Sequence, residues 1–317
     1  MGISQINKLM KILVVGSNGF LGSWVNKILA KDKSFEIISI FGKKQVDLTN
    51  YAEINEFVRD NNPDHIINCA AFVGGISYGY KFPARMLYEN VEMALNLYKA
   101  SQQNEVKSLI NPISNCAYPG NLNTYKEEHF LEGPPHESVF NYAIAKRMTV
   151  HLGESYFKEF NLTSSNVVLS NMYGPNDHFD IERSHALGAL IKKICDAKNN
   201  NLKTVEIWGS GKPIREWLYV EDGATALIKS IHLSEGHNFL NIGVKKGVSI
   251  LDLAYKIKEK VKWDGEFIFD TSRPDGVLEK KVDGTKGEHL LEWSPQVDLD
   301  LGIKKTIDWY LNNYEKR

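Results

Sequence analysis

A tyrosine and a lysine stand four residues apart in residues 142–160, a segment whose apolar residues recur with helical spacing. In a helix, this spacing places the phenol of Tyr142 and the ammonium of Lys146 on the same face. A nearby cation favours the phenolate, so we expect Lys146 to lower the pKa of Tyr142 and to allow proton exchange near neutral pH. The alternative is an exposed pair on an amphipathic helix.

A serine supplies the third chemical group. Ser114 directly follows residues 108–113, a short apolar segment that we interpret as a strand. Ligands of open parallel sheets bind at the carboxyl ends of the strands, so a hydroxyl here can hydrogen-bond the substrate oxygen that Tyr142 protonates. Ser114, Tyr142 and Lys146 together predict proton transfer to a substrate oxygen.

Three glycines, Gly16, Gly19 and Gly22, lie between an apolar segment, residues 11–15, and a helical segment, residues 20–30. Tight turning and close approach of the backbone to a pyrophosphate both require residues without a Cβ, and the N–H groups at the start of a helix are free to bind phosphate oxygens. We therefore expect a dinucleotide at this turn. The spacing is GxxGxxG rather than GxGxxG, and the alternative is a purely structural turn.

The residues after the second predicted strand indicate which dinucleotide binds. An acidic residue there would accept the ribose 2′-OH of NAD, but Lys43 and Lys44 occupy the position, and cations suit the 2′-phosphate of NADP(H). The alternative is a pair of solvated turn lysines. Asp47 follows, and its carboxylate either faces the adenine amino group or caps the helix that begins near Tyr51.

Strands alternate with helices through the first half of the chain. The predicted strands are residues 11–15, 35–41, 65–69, 108–113 and 163–169, and the predicted helices are residues 20–30, 52–60, 83–103 and 142–160. This alternation is typical of a parallel sheet covered by helices on both faces, and right-handed crossovers make a doubly wound Rossmann sheet the economical topology. The predicted fold class is therefore α/β.

The alternation weakens after residue 170, which indicates a smaller, mixed α/β substrate domain. Its predicted elements are strands 204–208 and 266–269 and helices 186–197, 222–233 and 251–261. The apolar run 238–242 is expected to return to the first sheet, so that the two domains interleave. The predicted division is 11–170 with 215–245 for the dinucleotide-binding domain, and 171–214 with 246–317 for the substrate domain.

Composition excludes several classes of protein. The 317 residues include 38 basic and 39 acidic side chains, so no net field favours a nucleic acid or an anionic membrane as partner. Cys69, Cys116 and Cys195 lack the number and spacing of a disulfide framework or a zinc cluster, and we expect no metal. No run approaches the roughly 20 apolar residues of a membrane helix. The cytoplasm is the expected location, and we interpret residues 1–10 as a disordered leader.

The glycine turn and the serine, tyrosine and lysine together resemble the short-chain dehydrogenase/reductase superfamily, in its extended branch that modifies nucleotide sugars. Local strings are further similar to the GDP-L-fucose synthase family, NADPH-dependent epimerase-reductases of GDP-4-keto-6-deoxymannose. Each string is weakly specific alone, and their shared order is the stronger signal. They are AFVGGI (71–76), SNCAYP (114–119), YAIAK (142–146), NMYGPND (171–177), SH (184–185), WGSG (208–211), REWL (215–218) and RPDG (273–276).

The resemblance implies roles for five catalytic residues. Cys116 and His185 would serve as base and acid in epimerisation, because a ketone at C4 acidifies the hydrogens at C3 and C5. Tyr142 would donate a proton when the ketone is reduced, Lys146 would also hold the nicotinamide ribose, and Ser114 would orient the ketone. The alternatives are that Cys116 is a small core residue and that His185 only begins a helix.

The resemblance also implies contacts to cofactor and substrate. Lys193, Arg215 and Lys280 would bind the diphosphate of a GDP-sugar, and Trp208 would lie beside the base. As alternatives, the lysines are solvated charges, Trp208 belongs to the core, and residues 169–172 are a strand end without a ligand. The expected cofactor contacts are Gly16, Asn18, Gly19, Phe20, Leu21, Gly22, Lys43, Asp47, Leu48, Ala70, Ala71, Tyr142, Lys146, Leu169, Ser170, Asn171, Met172 and His185.

The sequence departs from the family pattern at Asn18, where an arginine is expected, at Phe72, where a lysine is expected, and at residues 186–188. These changes leave open a different hexose or a heptose. Three functions are therefore compared: an epimerase-reductase, a C4 reductase without epimerase activity on a related GDP-4-keto-sugar, and a non-catalytic cofactor sensor. The resemblance further implies a homodimer through helices 83–103 and 142–160, whose apolar residues serve equally to cover the sheet.

Overall fold

The structure, a computed structural model, describes residues 9–180, 183–272, 275 and 277–314. The predicted leader lies outside the described residues except for Leu9 and Met10, and the string at 273–276 is described only at Asp275. Met10 corrects the leader prediction. It begins the first strand and pairs with Phe35, because its backbone extends the parallel pairing beyond the apolar run.

Strands and helices alternate in the main up to residue 169, as the sequence predicts. The strands are β1 (Met10–Val15), β2 (Phe35–Ile40), β3 (His65–Asn68), β4 (Ser108–Ser114), β5 (Thr124–Tyr125), β6 (Thr163–Leu169), β7 (Asn171–Tyr173), β8 (Thr204–Trp208), β9 (Ile214–Arg215), β10 (Trp217–Tyr219), β11 (His237–Ile242), β12 (Val248–Ser249), β13 (Glu266–Asp270) and β14 (Lys281–Val282). The helices are α1 (Phe20–Leu29), α2 (Tyr51–Asn61), α3 (Ile76–Lys81), α4 (Pro83–Gln103), α5 (Phe140–Phe160), α6 (Ala186–Asn199), α7 (Val220–Lys229), α8 (Ile250–Val261), α9 (Thr285–Leu291) and α10 (Leu299–Asn313).

Six strands form one parallel sheet in the order β11-β6-β4-β3-β1-β2. The period-two alternation of β1 sends Ile12 and Val14 into the apolar cluster that includes α1 and α7, and Leu13 and Val15 into the cluster that includes α2 and α4. Helices therefore cover both faces, and the predicted α/β doubly wound fold is confirmed.

Parallel pairing aligns the carboxyl ends of the central strands. Val15 pairs with Asn68, and Ser114 pairs with Leu169, which also pairs with Ile242. The loops that follow these residues therefore leave the sheet at one edge, where open α/β sheets bind their ligands. Ser114 is the last residue of β4, as predicted.

A second apolar core lies among α6, α8, α10 and the parallel pair β8–β13. The sequence predicts most of these elements, but it does not predict α3, α9, α10 or the shortest strands. The predicted helix 222–233 is instead α7 followed by a 3₁₀ turn, Ser230–His232.

Strand β11 returns to the first sheet beside β6, which confirms the expected pairing of 238–242. The residue-by-residue division into two domains stays a prediction. None of the helices in the described part of the chain is both long enough and apolar enough to cross a bilayer.

Candidate active site

The glycine turn joins β1 to α1 and lies against the end of β3. Gly16 has a φ of +74°, and a Cβ on it would lie 2.8 Å from the backbone nitrogen of Ala70. A Cβ on Gly22 would collide with the carbonyl oxygen of Gly16. Gly19 precedes α1 without a capping side chain, so the first N–H groups of the helix stay available. The turn is thus a backbone cradle that fits the phosphates of a dinucleotide.

A short turn after β4 places Cys116 beside Ser114. The Ser114 hydroxyl oxygen accepts a hydrogen bond of 3.3 Å from the backbone nitrogen of Cys116, and Arg147 Nε donates one of 2.7 Å to the carbonyl oxygen of Ala117. These bonds fix the turn to both β4 and α5. Cys116 is half-buried at the margin of an apolar cluster, so its thiol is not wholly enclosed in the core.

Tyr142 and Lys146 lie one helical turn apart on α5. Lys146 Nζ donates a 3.0 Å hydrogen bond to the carbonyl oxygen of Pro112 and lies 5.7 Å from the centroid of the Tyr142 ring. Burial raises the pKa of Tyr142, and burial lowers the pKa of Lys146 to about 8. The pKa of Tyr142 is therefore raised rather than lowered as predicted, because burial and the charge of Cys116 both disfavour the phenolate. Tyr142 is held as a neutral phenol, the form of a proton donor.

The charges of two lysines lower the pKa of the Cys116 thiol. Burial raises the pKa of Cys116, whereas the hydrogen bond with Ser114 and the charges of Lys280 and Lys146 lower it. Burial also lowers the pKa of Lys280, and the charge of Arg215 lowers it further. Lys280 therefore links a predicted catalytic residue to a predicted phosphate-binding residue.

His185 occupies the N-cap position of α6 and is exposed, in agreement with the alternative that it begins a helix. Neighbouring protein atoms displace water from the imidazole ring, and this loss of hydration lowers the pKa of His185. The charge of His178 lowers the pKa further, so the imidazole is neutral at pH 7. Within the described residues, no hydrogen bond joins His185 to the turn that carries Cys116. The catalytic role of His185 stays a prediction.

The loop after β2 holds an ion pair. Lys43 Nζ lies 3.0 Å from a carboxylate oxygen of Asp47, and Lys43 is largely exposed. Hydrogen bonds from Thr49 lower the pKa of Asp47. The interpretation of Asp47 as the cap of α2 is wrong: its carboxylate is engaged by Thr49, and Asn50 caps the helix by accepting a 3.1 Å bond from the backbone nitrogen of Ala52.

Trp208 is 55% exposed, so the alternative that it belongs to the core is wrong. Lys193 Nζ lies 5.2 Å from the centroid of the Trp208 ring and donates a 3.0 Å hydrogen bond to the carbonyl oxygen of Glu206. Trp208 Nε1 donates to the Glu206 carboxylate at 3.0 Å. Lys193 and Trp208 therefore form one unit at the end of β8, separate from the Cys116 turn in the contacts described.

The other predicted cofactor contacts differ in burial, and their roles stay predictions. Asn18 is exposed in the glycine turn. Leu21, Leu48 and Leu169 are buried in the apolar clusters of the sheet, and they offer a ligand their backbone rather than their side chains. The partly buried members are Phe20, Ala70, Ala71, Asn171 and Met172.

Two features of the site have little signal in the sequence. The carbonyl oxygen of Pro112 holds Lys146, and a backbone acceptor has no residue-type signature. Glu216 accepts hydrogen bonds from the hydroxyl of Ser170 at 2.9 Å and the backbone nitrogen of Val282 at 3.0 Å. Its signal in the sequence is a single acidic residue next to an apolar run.

Comparison with known proteins identifies the family to which this arrangement belongs. Residues 12–243, more than half of the chain, match the NAD dependent epimerase/dehydratase family. The chain belongs to this family. The match spans the glycine turn, the Ser114 loop and α5, and it ends just after β11.

Relatives that match almost the whole chain show which branch of the family it resembles. The chain is 34% identical over 307 residues to GDP-L-fucose synthase of Sinorhizobium fredii, with 96% of each chain covered. It is similar, with a TM-score of 0.88, to a GDP-L-fucose synthetase from Naegleria fowleri bound to NADP, at 30% identity over 99% of this chain and 97% of that one. A GDP-6-OMe-4-keto-L-xylo-heptose reductase from C. jejuni also gives 0.88, at 27% identity over 96% and 98%. The predicted resemblance to the GDP-L-fucose synthase family is confirmed.

Replacing Gly16 with alanine tests the cradle. The added Cβ would impose a φ of +74° on an L side chain and meet the backbone of Ala70. We expect a loss of about 1–3 kcal/mol in the free energy of unfolding and at least about a tenfold weaker affinity for NADP⁺. Urea unfolding and calorimetric titration measure the two effects. Gly42→Ala is the matched control, because a Cβ there meets no atom within 4 Å; equal losses in both variants would contradict the assignment.

Proposed function

We propose that the chain is an NADPH-dependent epimerase-reductase of a GDP-4-keto-sugar, similar to GDP-L-fucose synthase. Epimerisation at C3 and C5 would use Cys116 and His185, and reduction at C4 would use Tyr142 as the proton donor. The observation that carries the proposal is the turn after β4, where the Ser114 hydroxyl accepts a 3.3 Å hydrogen bond from the backbone nitrogen of Cys116 and the charges of Lys146 and Lys280 both favour the Cys116 thiolate. Lys146 belongs to the predicted reductase residues, and Lys280 belongs to the predicted diphosphate contacts.

The chain is an NADP-dependent oxidoreductase of the short-chain dehydrogenase/reductase type. When bound, NADP(H) supplies the hydride that reduces the substrate. The cradle of Gly16, Gly19 and Gly22 would hold the pyrophosphate. Lys43 would meet the 2′-phosphate, because it is largely exposed and its one ion pair among the described residues is with Asp47.

The reduction depends on the protonation states of Tyr142 and Lys146 on α5. Tyr142 starts as a phenol and donates its proton to the oxygen at C4. The phenolate that remains lies beside Lys146, which is mainly charged at pH 7 because its pKa is about 8. Lys146 thus stabilises the product of the proton transfer rather than the starting state. Ser114, at the end of β4, would orient the ketone.

Epimerisation requires one group that accepts a proton from carbon and one that donates a proton to the opposite face. Burial holds Cys116 as a thiol, and the surroundings of His185 hold it as a neutral imidazole. In the predicted roles, Cys116 acts as the base once it is a thiolate, and His185 acts as the acid once its imidazole carries a proton. Lys146 and Lys280 lower the cost of the thiolate that forms when Cys116 gives up its proton.

The diphosphate would bind between Arg215 and Lys280. Burial lowers the pKa of both side chains, and the two cations repel one another. Among the described residues, neither has a carboxylate partner. Two partly buried cations without a counter-charge form a site for an anion such as a diphosphate. Trp208, flanked by Lys193, offers an exposed ring face to a base.

A second candidate is a C4 reductase without epimerase activity. The similarity to a C. jejuni GDP-heptose reductase favours it, because that protein matches as well in TM-score as the GDP-L-fucose synthetase does. Both candidates use Ser114, Tyr142 and Lys146, and they differ in the use of Cys116 and His185.

The test is product analysis by mass spectrometry and proton NMR after reaction with GDP-4-keto-6-deoxymannose and NADPH in deuterated water. GDP-L-fucose with deuterium at C3 and C5 supports the epimerase-reductase. An unlabelled, non-epimerised product supports the reductase alone. No turnover of this substrate, together with turnover of a GDP-4-keto-heptose, would overturn the hexose as substrate.

Cys116→Ser should abolish deuterium incorporation at C3 and C5 while it spares reduction of a ketone that is already epimerised. A serine hydroxyl is a far weaker acid and base than a thiol near neutral pH, so we expect a loss of about 10²-fold or more in exchange. NMR of the recovered sugar measures the exchange. Cys195→Ser is the control, because Cys195 lies in the second apolar core. Exchange that persists in Cys116→Ser would remove Cys116 from the epimerisation.

Tyr142→Phe should retain NADP⁺ affinity and lose most turnover. The phenyl ring preserves packing on α5 but cannot donate a proton, and loss of a general acid costs about 10²–10⁴-fold in kcat. Stopped-flow oxidation of NADPH and calorimetric titration measure the two quantities. Tyr255→Phe, at an exposed tyrosine of α8, is the control. Undiminished turnover in Tyr142→Phe would show that another group protonates the substrate.

Lys43→Ala should weaken NADP⁺ binding by about tenfold and leave NAD⁺ binding unchanged, as expected from loss of a hydrogen bond to a charged group, about 1.5 kcal/mol. Only NADP⁺ carries the 2′-phosphate. Calorimetric titration with both dinucleotides gives the ratio. Lys44→Ala is the matched control on the next residue. A similar loss for NAD⁺ would mean that Lys43 contacts another part of the cofactor.

We also propose a homodimer through α4 and α5, which pack side by side. Tyr88 and Leu95 of α4 and Met148 of α5 are exposed apolar side chains on these helices. Leu95→Glu should convert the dimer to a monomer in sedimentation equilibrium, because it would bury a charge in the interface. Leu311→Glu, on α10, should leave the mass unchanged. A monomeric native protein would overturn the proposal.

A further inference from the structure

Glu216 is a buried carboxylate between two segments that carry predicted ligand contacts. It is 3% exposed and separates β9, which ends at Arg215, from β10, which begins at Trp217. A carboxylate with so little access to water depends on hydrogen bonds from the protein. The donors that it uses therefore show which segments it holds together.

The donors come from segments that are far apart in the sequence. The Ser170 hydroxyl donates to Glu216 Oε2 at 2.9 Å, and the backbone nitrogen of Val282 donates to the same oxygen at 3.0 Å. The backbone of Val244 also hydrogen-bonds the carboxylate. Asn171 Nδ2 donates to the backbone oxygen of Glu216 at 3.1 Å. Glu216 thus joins the β6–β7 junction, β14 and the loop after β11.

Two of these segments carry or adjoin a residue predicted to contact a ligand. Ser170 belongs to the strand end predicted to line the nicotinamide. Lys280 lies two residues before Val282, and its backbone nitrogen donates a 3.4 Å hydrogen bond to the carbonyl oxygen of Ile214. Arg215 is the neighbour of Glu216 in the chain. The carboxylate is therefore the meeting point of the predicted diphosphate contacts and the nicotinamide end of the cofactor site.

We propose that Glu216 is a positioning residue that fixes Arg215 and Lys280 relative to the strand end at Ser170. The placement of the diphosphate, and with it the distance of the sugar from the cofactor, depends on this carboxylate. The inference rests on the proposed function for the identity of the two ligands. It adds that the two sites are coupled through a group that touches neither ligand.

The balance of forces on Glu216 supports a role beyond packing. Burial raises the pKa of Glu216 to about 7, while the hydrogen bonds from Val282 and Ser170, the charge of Lys281 and the bond with Val244 lower it. An apolar side chain would avoid the desolvation but would leave the Ser170 hydroxyl and the Val282 N–H without this partner in a buried place. Glutamine, in contrast, keeps an oxygen that can accept both bonds.

The experiment compares Glu216→Ala and Glu216→Gln by calorimetric titration with GDP, inorganic pyrophosphate and NADP⁺, together with steady-state kinetics. We expect Glu216→Ala to weaken GDP and pyrophosphate binding by about tenfold and NADP⁺ binding by less than about twofold, since most NADP⁺ contacts lie at the glycine turn. The KM for the sugar nucleotide should rise more than kcat falls. Glu216→Gln should restore GDP affinity to within about threefold of the native protein.

Equal weakening of GDP and NADP⁺ in Glu216→Ala, or no rescue by Glu216→Gln, would overturn the inference and leave Glu216 a structural residue. If Glu216→Ala does not fold, Ser170→Ala carries the test: it should weaken GDP binding by about threefold, although Ser170 lies on the cofactor side, and unchanged GDP affinity would overturn the coupling. If the native protein binds pyrophosphate but not GDP, the proposal that the substrate is a guanine nucleotide is overturned. The pyrophosphate affinity of the Glu216 variants then still tests whether Glu216 positions Arg215 and Lys280. Native protein that binds neither would overturn both.

Discussion

Parallel pairing of the central strands is the constraint on which the site depends. In β1, β3, β4 and β6 the chain runs in one direction, so every loop that leaves a carboxyl end emerges at the same edge. The pairing of Ser114 with Leu169 then sets the start of the Cys116 turn beside Ser170, and that of Val15 with Asn68 sets Gly16 against Ala70. A shift of one residue in any of these registers would send the side chains to the opposite face.

Loss of hydration determines the protonation states at this edge. Burial raises the pKa of Tyr142 and of Cys116 and lowers that of Lys146, so each group is driven toward its neutral form. The Tyr142 phenol and the Cys116 thiol therefore favour their protonated forms. The charges of Lys146 and Lys280 act in the opposite direction on Cys116 and favour its thiolate. Burial also lowers the pKa of Lys280, and the neighbouring charge of Arg215 lowers it further.

The sequence predicts the first half of the fold well because its signals there are local. Strand runs such as β1 and helices such as α4 carry their own periodicity, and Ser114 and Lys146 are found from strand and helix positions alone. Strands of two residues, such as β9, form only through tertiary pairing and have no periodicity to detect. The pKa of Tyr142 was mispredicted for a related reason, since spacing reveals a neighbouring cation but not the loss of water.

The choice between Asp47 and Asn50 as helix cap shows the same limit at a smaller scale. Both residues suit an N-cap, and they stand three positions apart. The outcome depends on Thr49, whose backbone nitrogen and hydroxyl both bind Asp47 and leave Asn50 to cap α2. Local composition narrows such choices, and only the path of the chain decides them.

The departure from the family pattern at Phe72 lies near the segment that precedes His185. The ring centroid of Phe72 lies 5.4 Å from that of Tyr78, and the Arg85 guanidinium lies 4.4 Å from the Phe72 centroid. Arg183, two residues before His185, places its guanidinium 5.8 Å from the Tyr78 ring. A lysine at position 72 would set a second cation beside Arg85, whereas the phenyl ring lets Arg85 stack. The replacement of lysine by Phe72 therefore makes the surface between the loop after β3 and the segment before His185 more aromatic and less positively charged.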